Sequence, residues 1–357
     1  MGLIIFLEFV ASLAILIIIH EAGHFVAAKL FKVEVEEFGI GFPPRILSLF
    51  KAGGTLFSLN AIPLGGFVRP KGENDPTIEG GLAAAKPLVR IAVFLAGPTA
   101  NILTAILLYT MIFIRLGAPD PARANEVLIN AVASNSPASV AGLQAGDIIT
   151  KVNDQVIDST DKLHNVVYAN LGQELTFTYL RDGQVGEVKL TPRANPPQGE
   201  GAIGIVMGTP TISLSPIVAL PAGVTATYEH SKALLGVVGN LIHGNLPGGE
   251  ARLVGYKGMF DIYENVRVTD ASSGYPAGVS VLSFLTSISI SLGLLNLLPV
   301  PALDGGRILF VLPELLFRKR IPQKYENVIN AIGFTFLLIL LLFINLQDFI
   351  NPIQIPK

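Results

Sequence analysis

Long uncharged apolar stretches constrain this chain more than any other feature. A bilayer core of about 30 Å needs about 20 apolar residues in a helix. Only 15% of the residues are charged, against about 25% in an average soluble domain, and the mean hydropathy is +0.56. The sequence therefore predicts a polytopic α-helical membrane protein with four transmembrane helices, within residues 1–30, 88–114, 279–303 and 327–347.

The first stretch has an alternative interpretation as a cleaved signal peptide, because it stands at the N-terminus of the sequence. Signal peptides begin with a basic segment. No Lys or Arg precedes Lys29, and the stretch contains Glu8, Glu21 and two histidines. We therefore interpret it as a retained transmembrane helix.

Charge and cysteine content exclude several classes of protein. The chain has 25 Lys and Arg against 27 Asp and Glu, a net charge of −2, so no basic surface for nucleic acid is expected. It has no cysteine, which excludes disulfides, thiolate nucleophiles and Cys-ligated metals. Any metal ion must be held by His, Asp or Glu.

Lys and Arg in the short loops predict the orientation. Residues 31–87 and 304–326 are rich in both, so these two loops are expected in the cytoplasm. Both termini and residues 115–278 then lie outside. Within that outer region, residues 211–228 and 233–249 are also uncharged but diluted by Pro, Gly and Asn. If one of them spanned the membrane, everything after it would be inverted; we expect instead an amphipathic surface helix over Tyr228–His243 in the linker 196–278.

Residues 125–195 have the pattern of a small soluble α+β domain. Strands are predicted at 127–132, 146–153, 174–180 and 185–191, and short helices at 136–142 and 160–171. Asp182-Gly183 is a hairpin signal, and Pro192, Pro196 and Pro197 suggest a stiff linker after the domain. The segment from Ser136 to Ile149, with Val152-Asn-Asp following, resembles permuted PDZ domains of bacterial proteases, which accept an extended chain as an added strand. A spacer without a ligand is the alternative. We call this segment the PDZ-like domain.

The first helix carries the sequence His20-Glu21-Ala22-Gly23-His24. Residues four apart share one helix face, so both imidazoles can bind one Zn²⁺ while Glu21 holds the attacking water. Ionisable groups in a spanning segment are costly and rarely persist without a role. A buried polar cluster that ties helices together is the alternative.

A third ligand is expected because catalytic zinc has three protein ligands and an open position. The remaining histidines fall on the predicted outer side, whereas Asp304 follows the third span at the cytoplasmic level of His24. Gly305 and Gly306 are expected to let the backbone turn so that the carboxylate points inward. Helix capping is the alternative role for Asp304.

Asn296 precedes Asp304 by about two helical turns, so it can hydrogen-bond a substrate backbone or a developing oxyanion. A helix-packing role is the alternative. Residues 55–62 alternate in hydropathy just before Pro63-Leu64-Gly65-Gly66-Phe67, which suggests a membrane-associated β-hairpin in the cytoplasmic loop. We expect its edge, at Ile62, Leu64 and Gly65, to hold the substrate extended; an ordinary interfacial loop is the alternative.

The combination of His20-Glu-Ala-Gly-His24, Asn296-Leu-Leu-Pro-Val-Pro-Ala-Leu-Asp-Gly-Gly306 and a PDZ domain between them resembles the site-2 protease family of intramembrane zinc proteases. Residues 96–101 (Ala-Gly-Pro-Thr-Ala-Asn) and 63–68 are further matches. The similar branch is the bacterial one that releases sigma factors by cutting anti-sigma proteins. Gly41-Phe-Pro-Pro44 departs from a more glycine-rich turn, and some relatives carry two PDZ copies.

The resemblance implies a zinc endopeptidase of the bacterial inner membrane, acting in regulated intramembrane proteolysis and stress-response signalling. It implies a single-span, anti-sigma-factor-like substrate, cut first by an upstream site-1 protease, with the PDZ-like domain as a size filter outside and the active site near the cytoplasmic side. A non-catalytic membrane metal-binding or PDZ adaptor protein is the alternative, which Glu21 disfavours. A metal transporter would need polar residues in the second and fourth spans, which offer almost none.

Overall fold

The computed structural model describes residues 2–197, 200–243, 253–269 and 278–353. Its helices are α1 (Gly2–Leu30), α2 (Pro87–Leu116), α3 (Pro137–Ala141), α4 (Thr160–Ala169), α5 (Pro216–His243), α6 (Tyr256–Thr269), α7 (Val279–Asn296), α8 (Asp304–Phe317) and α9 (Gln323–Ile350). Its strands are β1 (Val35–Ala52), β2 (Thr55–Pro70), β3 (Ala118–Pro119), β4 (Val127–Val132), β5 (Ile148–Val152), β6 (Gln155–Val156), β7 (Leu175–Arg181), β8 (Gln184–Leu190), β9 (Ile205–Gly208) and β10 (Thr211–Ile212).

Four helices in the described part of the chain are long and apolar enough to cross a membrane: α1, α2, α7 and α9. These helices confirm the four predicted stretches but differ at their ends. The third was expected to continue to residue 303, whereas α7 ends at Asn296 because Pro299 and Pro301 follow closely. The segment predicted to connect the third and fourth spans, residues 304–326, contains helix α8.

The apolar surface of α9 fits a lipid-facing helix. Ile332, Phe336, Ile339 and Leu342 are each 60% exposed or more. In water such a row of large apolar side chains would be unfavourable by about 25 cal/mol per Å². A bilayer removes that cost.

Two compact units divide the described residues, one drawn from 1–109, 223–264 and 283–353 and the other from 110–222 and 265–282. In the first unit, the end of α1, the start of β1, α2 and α8 share one apolar core. Its buried members are Ala27, Ala28, Val33, Val35, Leu82, Val93, Phe94 and Val311. This core fixes the start of β1 against the helices that carry the motif residues.

The β1–β2 hairpin folds back on itself into four segments. Residues 35–40 pair with 56–59 on one side and with 66–70 on the other, and residues 47–52 pair with 55–59. Segment 66–70 is therefore an edge of this small sheet. Glu37, in the central segment, is buried and accepts hydrogen bonds from Arg45 and Ser58, and its carboxylate lies 3.0 Å from Arg69 Nη1. One carboxylate thus links three of the segments to Arg45, which lies just before the fourth.

Helix α6 is held at its start by α9. The Asp348 carboxylate accepts hydrogen bonds from the backbone N–H groups of Gly255, at 2.8 Å, and Gly258, at 3.0 Å. This is an N-terminal cap supplied by another helix. Further along α6, Tyr263 contacts the rings of Phe9 and Phe284.

The predicted surface helix over Tyr228–His243 is longer than expected, because α5 begins at Pro216. Pro221 lies inside this helix, in a segment whose Pro, Gly and Asn content was expected to disfavour a membrane span. Within the described residues α5 is not one of the helices that meet the length and hydropathy of a span. Residues 244–249 of the second uncharged segment lie outside the described residues.

The second unit contains the PDZ-like domain, a sheet in the order β8-β7-β5-β4-β9 with β6 paired to β5. Short helix α3 is capped by Ser136, whose side chain accepts from Ser139 N, and ends at Gly142, whose φ is 88°. Asp182 and Gly183 have positive φ, 49° and 79°, as a two-residue hairpin turn requires.

The boundary predicted at residue 195 is wrong. Strand β9 joins the sheet beside β4, and Ala202 and Ile203 are buried in the same core as Val127 and Phe177. The prolines at 192, 196 and 197 therefore lie in a loop within the domain. Proline content gave the wrong answer because a proline-rich loop and an interdomain linker have the same composition.

Candidate metal centre

The α1 helix brings His20 and His24 to one face, as their spacing requires. Their Nε2 atoms are 3.2 Å apart. Asp304, the first residue of α8, places its Oδ2 atom 3.2 Å from His20 Nε2 and 3.3 Å from His24 Nε2. Three potential ligand atoms from opposite ends of the chain thus form a nearly equilateral triangle, which we call the ligand triangle.

The loop before Asp304 is held by α9. Ala302 has a φ of 76°, and its backbone N–H donates to Asn330 Oδ1 at 3.0 Å. One turn further along α9, a Cβ on Gly333 would clash with Pro301. The Asn330 amide and the close approach at Gly333 therefore set the turn from which Asp304 enters α8.

Gly305 and Gly306 serve a different purpose from the one expected. Neither has a positive φ; both lie in the first turn of α8. A Cβ on Gly305 would clash with the carbonyl groups of Leu297 and Leu298, and one on Gly306 with that of Val300. These glycines allow close packing of α8 on the preceding loop, and the turn itself occurs at Ala302.

The second nitrogen of each imidazole contacts α2. His24 Nδ1 lies 2.7 Å from the carbonyl oxygen of Val93, to which it can donate. His20 Nδ1 lies 3.2 Å from Asn101 Nδ2. When the Nδ1 atoms carry the protons, both Nε2 lone pairs face the ligand triangle.

Two glycines let α1 and α2 come this close. A Cβ on Gly23 would clash with the carbonyl of Ala96, and one on Gly97 would clash with the Nε2 atoms of both histidines. Gly97 therefore leaves the space beside the ligand triangle open. The resemblance pointed to residues 96–101 as a motif, and these contacts give a physical reason for two of its members.

Glu21 is fixed by the edge of the hairpin. The backbone N–H of Val68 donates to Glu21 Oε2 at 3.0 Å. Gly66, two residues earlier on the same edge, lies against the first helix: a Cβ on it would lie 3.3 Å from Glu21 Cγ. The hydrogen bond occupies one carboxylate oxygen of Glu21 and leaves the other for a second partner.

A cavity of about 450 Å³ opens at this position. It is lined by the ligand triangle, Glu21, Phe42, Asn296 and the edge residues 66–70. A second cavity of about 470 Å³ shares Glu73, Phe94, Ala302 and Arg307 with it. The Arg307 guanidinium pairs with Glu73 at 2.6 Å where the two cavities meet. The site is thus next to a second cavity with which it shares charged lining residues, although it is built on apolar helices.

The predicted substrate-binding residues are only partly at this cavity. Asn296 lines it, but the stretch to Asp304 is a loop rather than two helical turns, and Asn296 Nδ2 donates to Leu292 O at 2.9 Å. Ile62 is 46% exposed, and Gly65 lies against the Phe42 ring; neither lines the cavity. Leu64 belongs to β2, and its side chain lies outside the described part. The edge beside Glu21 begins at Gly66 instead.

Sequence reasoning did not assign a role to Val93, Gly97, Asn101 or the backbone of Val68. Three of these contribute a main-chain group or the lack of a side chain, which residue type does not reveal. Asn101 was a detectable signal, because a lone amide within a spanning helix needs a partner.

The donor set fits a tetrahedral divalent cation. Ligand atoms bound to zinc at about 2.0–2.1 Å in tetrahedral geometry lie about 3.3–3.5 Å from one another. The three edges of the ligand triangle measure 3.2, 3.2 and 3.3 Å. Two imidazoles and one carboxylate are also the ligand types that suit zinc.

Comparisons with known proteins found relatives that are named as zinc metalloproteases. A protein of Clostridium acetobutylicum named as a candidate zinc metalloprotease is 30% identical over 97% of this chain and 97% of its own length. Zinc metalloprotease RasP of Geobacillus kaustophilus is 26% identical over 96% of this chain and 97% of its own.

Among solved structures, the crystal structure of the PDZ domain of an SdrC-like protein from Listeria monocytogenes matches 23% of this chain and 87% of its own. Its sequence identity is 21% and its TM-score 0.21. The model of peptidase family M50 matches residues 8–340, nearly the whole sequence. The chain belongs to peptidase family M50.

Proposed function

We propose that the chain is an intramembrane zinc endopeptidase that hydrolyses a peptide bond in the transmembrane segment of a single-span membrane protein. The observation that carries this proposal is the ligand triangle with Glu21 beside it, built on helices that are apolar enough to span a bilayer. The peptidase family and the names of its zinc metalloprotease relatives support it.

His20, His24 and Asp304 would hold the zinc ion. When bound, Zn²⁺ activates water and polarises the scissile carbonyl. Glu21 would take the proton of the attacking water and deliver it to the leaving amine, which is the role of a general base and then a general acid. The Val68 N–H fixes one oxygen of Glu21, so that the carboxylate keeps its orientation through both transfers. Asn296, which lines the same cavity, would contact the substrate backbone.

A transmembrane substrate must be held extended, because helical hydrogen bonds otherwise shelter its peptide groups. We propose that it adds as a strand to the hairpin edge. The edge segment 66–70 lines the cavity beside Glu21, and Ile62, Leu64 and Gly65 lead the chain to that edge. Backbone pairing of this kind recognises an extended chain largely independently of its side chains.

The wider role follows from the sequence resemblance. We infer that the substrate is anti-sigma-factor-like and has already lost its ectodomain to a site-1 protease. The basic loops favour a bacterial inner-membrane orientation with the PDZ-like domain outside, as a size filter, and the active site near the cytoplasm. A metal-binding adaptor would need the three ligands but not Glu21, so Glu21 favours the enzyme.

Substitution of Glu21 tests the enzyme directly. The full chain is co-expressed with a tagged single-span anti-sigma protein lacking its ectodomain. Glu21→Gln should lower cleavage by about 10²- to 10⁴-fold, the typical contribution of general acid–base catalysis, while zinc remains bound. Glu8→Gln is the matched control, since it makes the same change in the same helix away from the site. Equal processing by wild type and Glu21→Gln would remove the protease assignment and favour the adaptor.

A further inference from the structure

Asn101 is a polar residue inside a span and has no exposed surface. Its Nδ2 atom lies 3.2 Å from His20 Nδ1. Its Oδ1 atom is buried and has no hydrogen-bond partner within the described residues. Burying an amide without satisfying all of its hydrogen bonds costs free energy. Placing Asn101 beside His20 therefore has an energetic cost, although α1 already positions His20.

The backbone around Asn101 is firmly held. Ser289 on α7 donates its hydroxyl to the Asn101 carbonyl oxygen at 2.8 Å. This contact fixes the position of the residue without engaging its side chain. The amide therefore has one partner, the His20 ring, and no second hydrogen bond in the described structure decides which end of the amide faces that ring.

Metal binding by His20 decides which end of the Asn101 amide faces the imidazole ring. The Nε2 atom is the one in the ligand triangle, so it must offer a lone pair, and a neutral imidazole then carries its proton on Nδ1. An amide N–H facing that N–H would be repulsive. Turning the amide end for end presents Oδ1 instead, and no other hydrogen bond of the side chain is lost.

We propose that Asn101 is a positioning residue for His20, and that its Oδ1 accepts a hydrogen bond from His20 Nδ1–H when the site holds its metal. The inference rests on the proposed function. It completes a matched pair, since His24 Nδ1 faces the Val93 carbonyl in the same way. Each histidine is then oriented by an oxygen of α2, and both expose Nε2 to the same point.

Zinc affinity tests this proposal without relying on activity. The dissociation constant of the full chain in lipid nanodiscs is measured by competition with a chelator. Asn101→Leu removes the acceptor at similar volume and should weaken zinc binding by about 10- to 100-fold, as is typical for partners of metal-bound histidines. Asn101→Asp keeps an acceptor and removes the donor, so its affinity should stay within a few-fold of wild type. Thr104→Val, one turn along α2, is the control: within the described residues its hydroxyl donates to the Ala100 carbonyl oxygen at 2.8 Å, away from the ligand triangle.

The aspartate variant separates the two orientations of the amide. If Asn101 acted as a donor to Nδ1, Asn101→Asp would bind zinc as weakly as Asn101→Leu, and the proposal would be overturned. Wild-type affinity in Asn101→Leu would overturn it as well, by reducing Asn101 to packing. Should Asn101→Leu fail to fold, Asn101→Asp alone decides.

The experiment also distinguishes this inference from the proposed function. A wild-type chain that binds no zinc, or a His20→Ala variant that binds it unchanged, contradicts the metalloprotease site itself. Zinc binding that needs His20 but tolerates Asn101→Leu contradicts only the role of Asn101.

Discussion

Two polar clusters of the first unit, one around Glu37 and the other the ligand triangle, differ in how their charges are balanced. In the Glu37 cluster, both carboxylate oxygens face donors from Arg45, Ser58 and Arg69. In the ligand triangle, the metal-binding forms of His20, His24 and Asp304 place acceptor atoms 3.2–3.3 Å from one another. In the Glu37 cluster, protein donors satisfy both carboxylate oxygens. In the ligand triangle, the acceptor atoms of these metal-binding forms would need a cation. This difference separates a structural cluster from a functional one.

The change with the largest expected effect removes the negative charge of Asp304 from the ligand triangle. Asp304→Asn keeps the shape but replaces a zinc ligand with a much weaker one, so zinc affinity should fall by about 100-fold or more, beyond the usual loss for an outer partner. Cleavage should be lost with it. The unfolding temperature of the metal-free protein should change little, because the asparagine keeps the shape of Asp304 and an amide oxygen that the imidazoles can still hydrogen-bond. Retained zinc with a lowered unfolding temperature would show that Asp304 is structural.

The same exchange in the Glu37 cluster should have the opposite consequence. Glu37→Gln leaves two arginines without their carboxylate and should destabilise the hairpin by about 1–3 kcal/mol, with zinc affinity unchanged. Hydrogen exchange of residues 35–70 measures this. Glu36→Gln, on the exposed neighbour, is the control. Zinc loss in Glu37→Gln without hairpin opening would erase the distinction between the clusters.

Acid should weaken the hairpin through the same residue. Burial opposes ionisation of Glu37, but hydrogen bonds from Arg45 and Ser58 outweigh it and lower the pKa below its ordinary value of 4.5. A lowered folded-state pKa means that the stabilisation is fully present above 4.5 and is lost as pH falls through the folded value. Hairpin protection should therefore decline below about pH 4.5 in wild type and much less in Glu37→Gln. Equal acid sensitivity of the two proteins would contradict this.

The smallest expected effects concern the link between the hairpin and the site. Val68→Pro removes the N–H that holds Glu21, and an edge position tolerates proline, so cleavage should fall about tenfold while zinc stays. Ile62→Pro, further from Glu21, should impair cleavage by less and also retain zinc. Quantitative cleavage assays of both variants with a single substrate show which variant loses more activity. A greater loss from Ile62→Pro would move the substrate-holding edge back to the segment first predicted.

The ligand triangle could be predicted from sequence because, at each step of the prediction, only a few residues could serve as ligands. Residues four apart on a helix must share a face, and with no cysteine and the other histidines on the predicted outer side, a carboxylate was the expected third ligand. The span order brought Asp304 to the right level. The backbone turn before it could not be predicted, because the positive φ falls on Ala302 and not on the neighbouring glycines.

The Glu37 cluster could not be predicted in the same way. Its partners are spread over residues 45–69 and meet only because β1 and β2 each bend and pair twice. No spacing rule describes such a sheet. The end of the PDZ-like domain was missed for a related reason: β9 follows a proline-rich loop, and its place beside β4 is a long-range pairing.

The cap that Asp348 gives to α6 has a mechanical consequence. The beginning of α6 depends on the last turns of α9, and its Tyr263 ring contacts Phe9 near the start of α1. Helix α6 thus connects the C-terminal turns of α9 to the N-terminal turns of α1. Disruption of the last turns of α9 should therefore also destabilise the first turns of α1, although the two are far apart in the sequence.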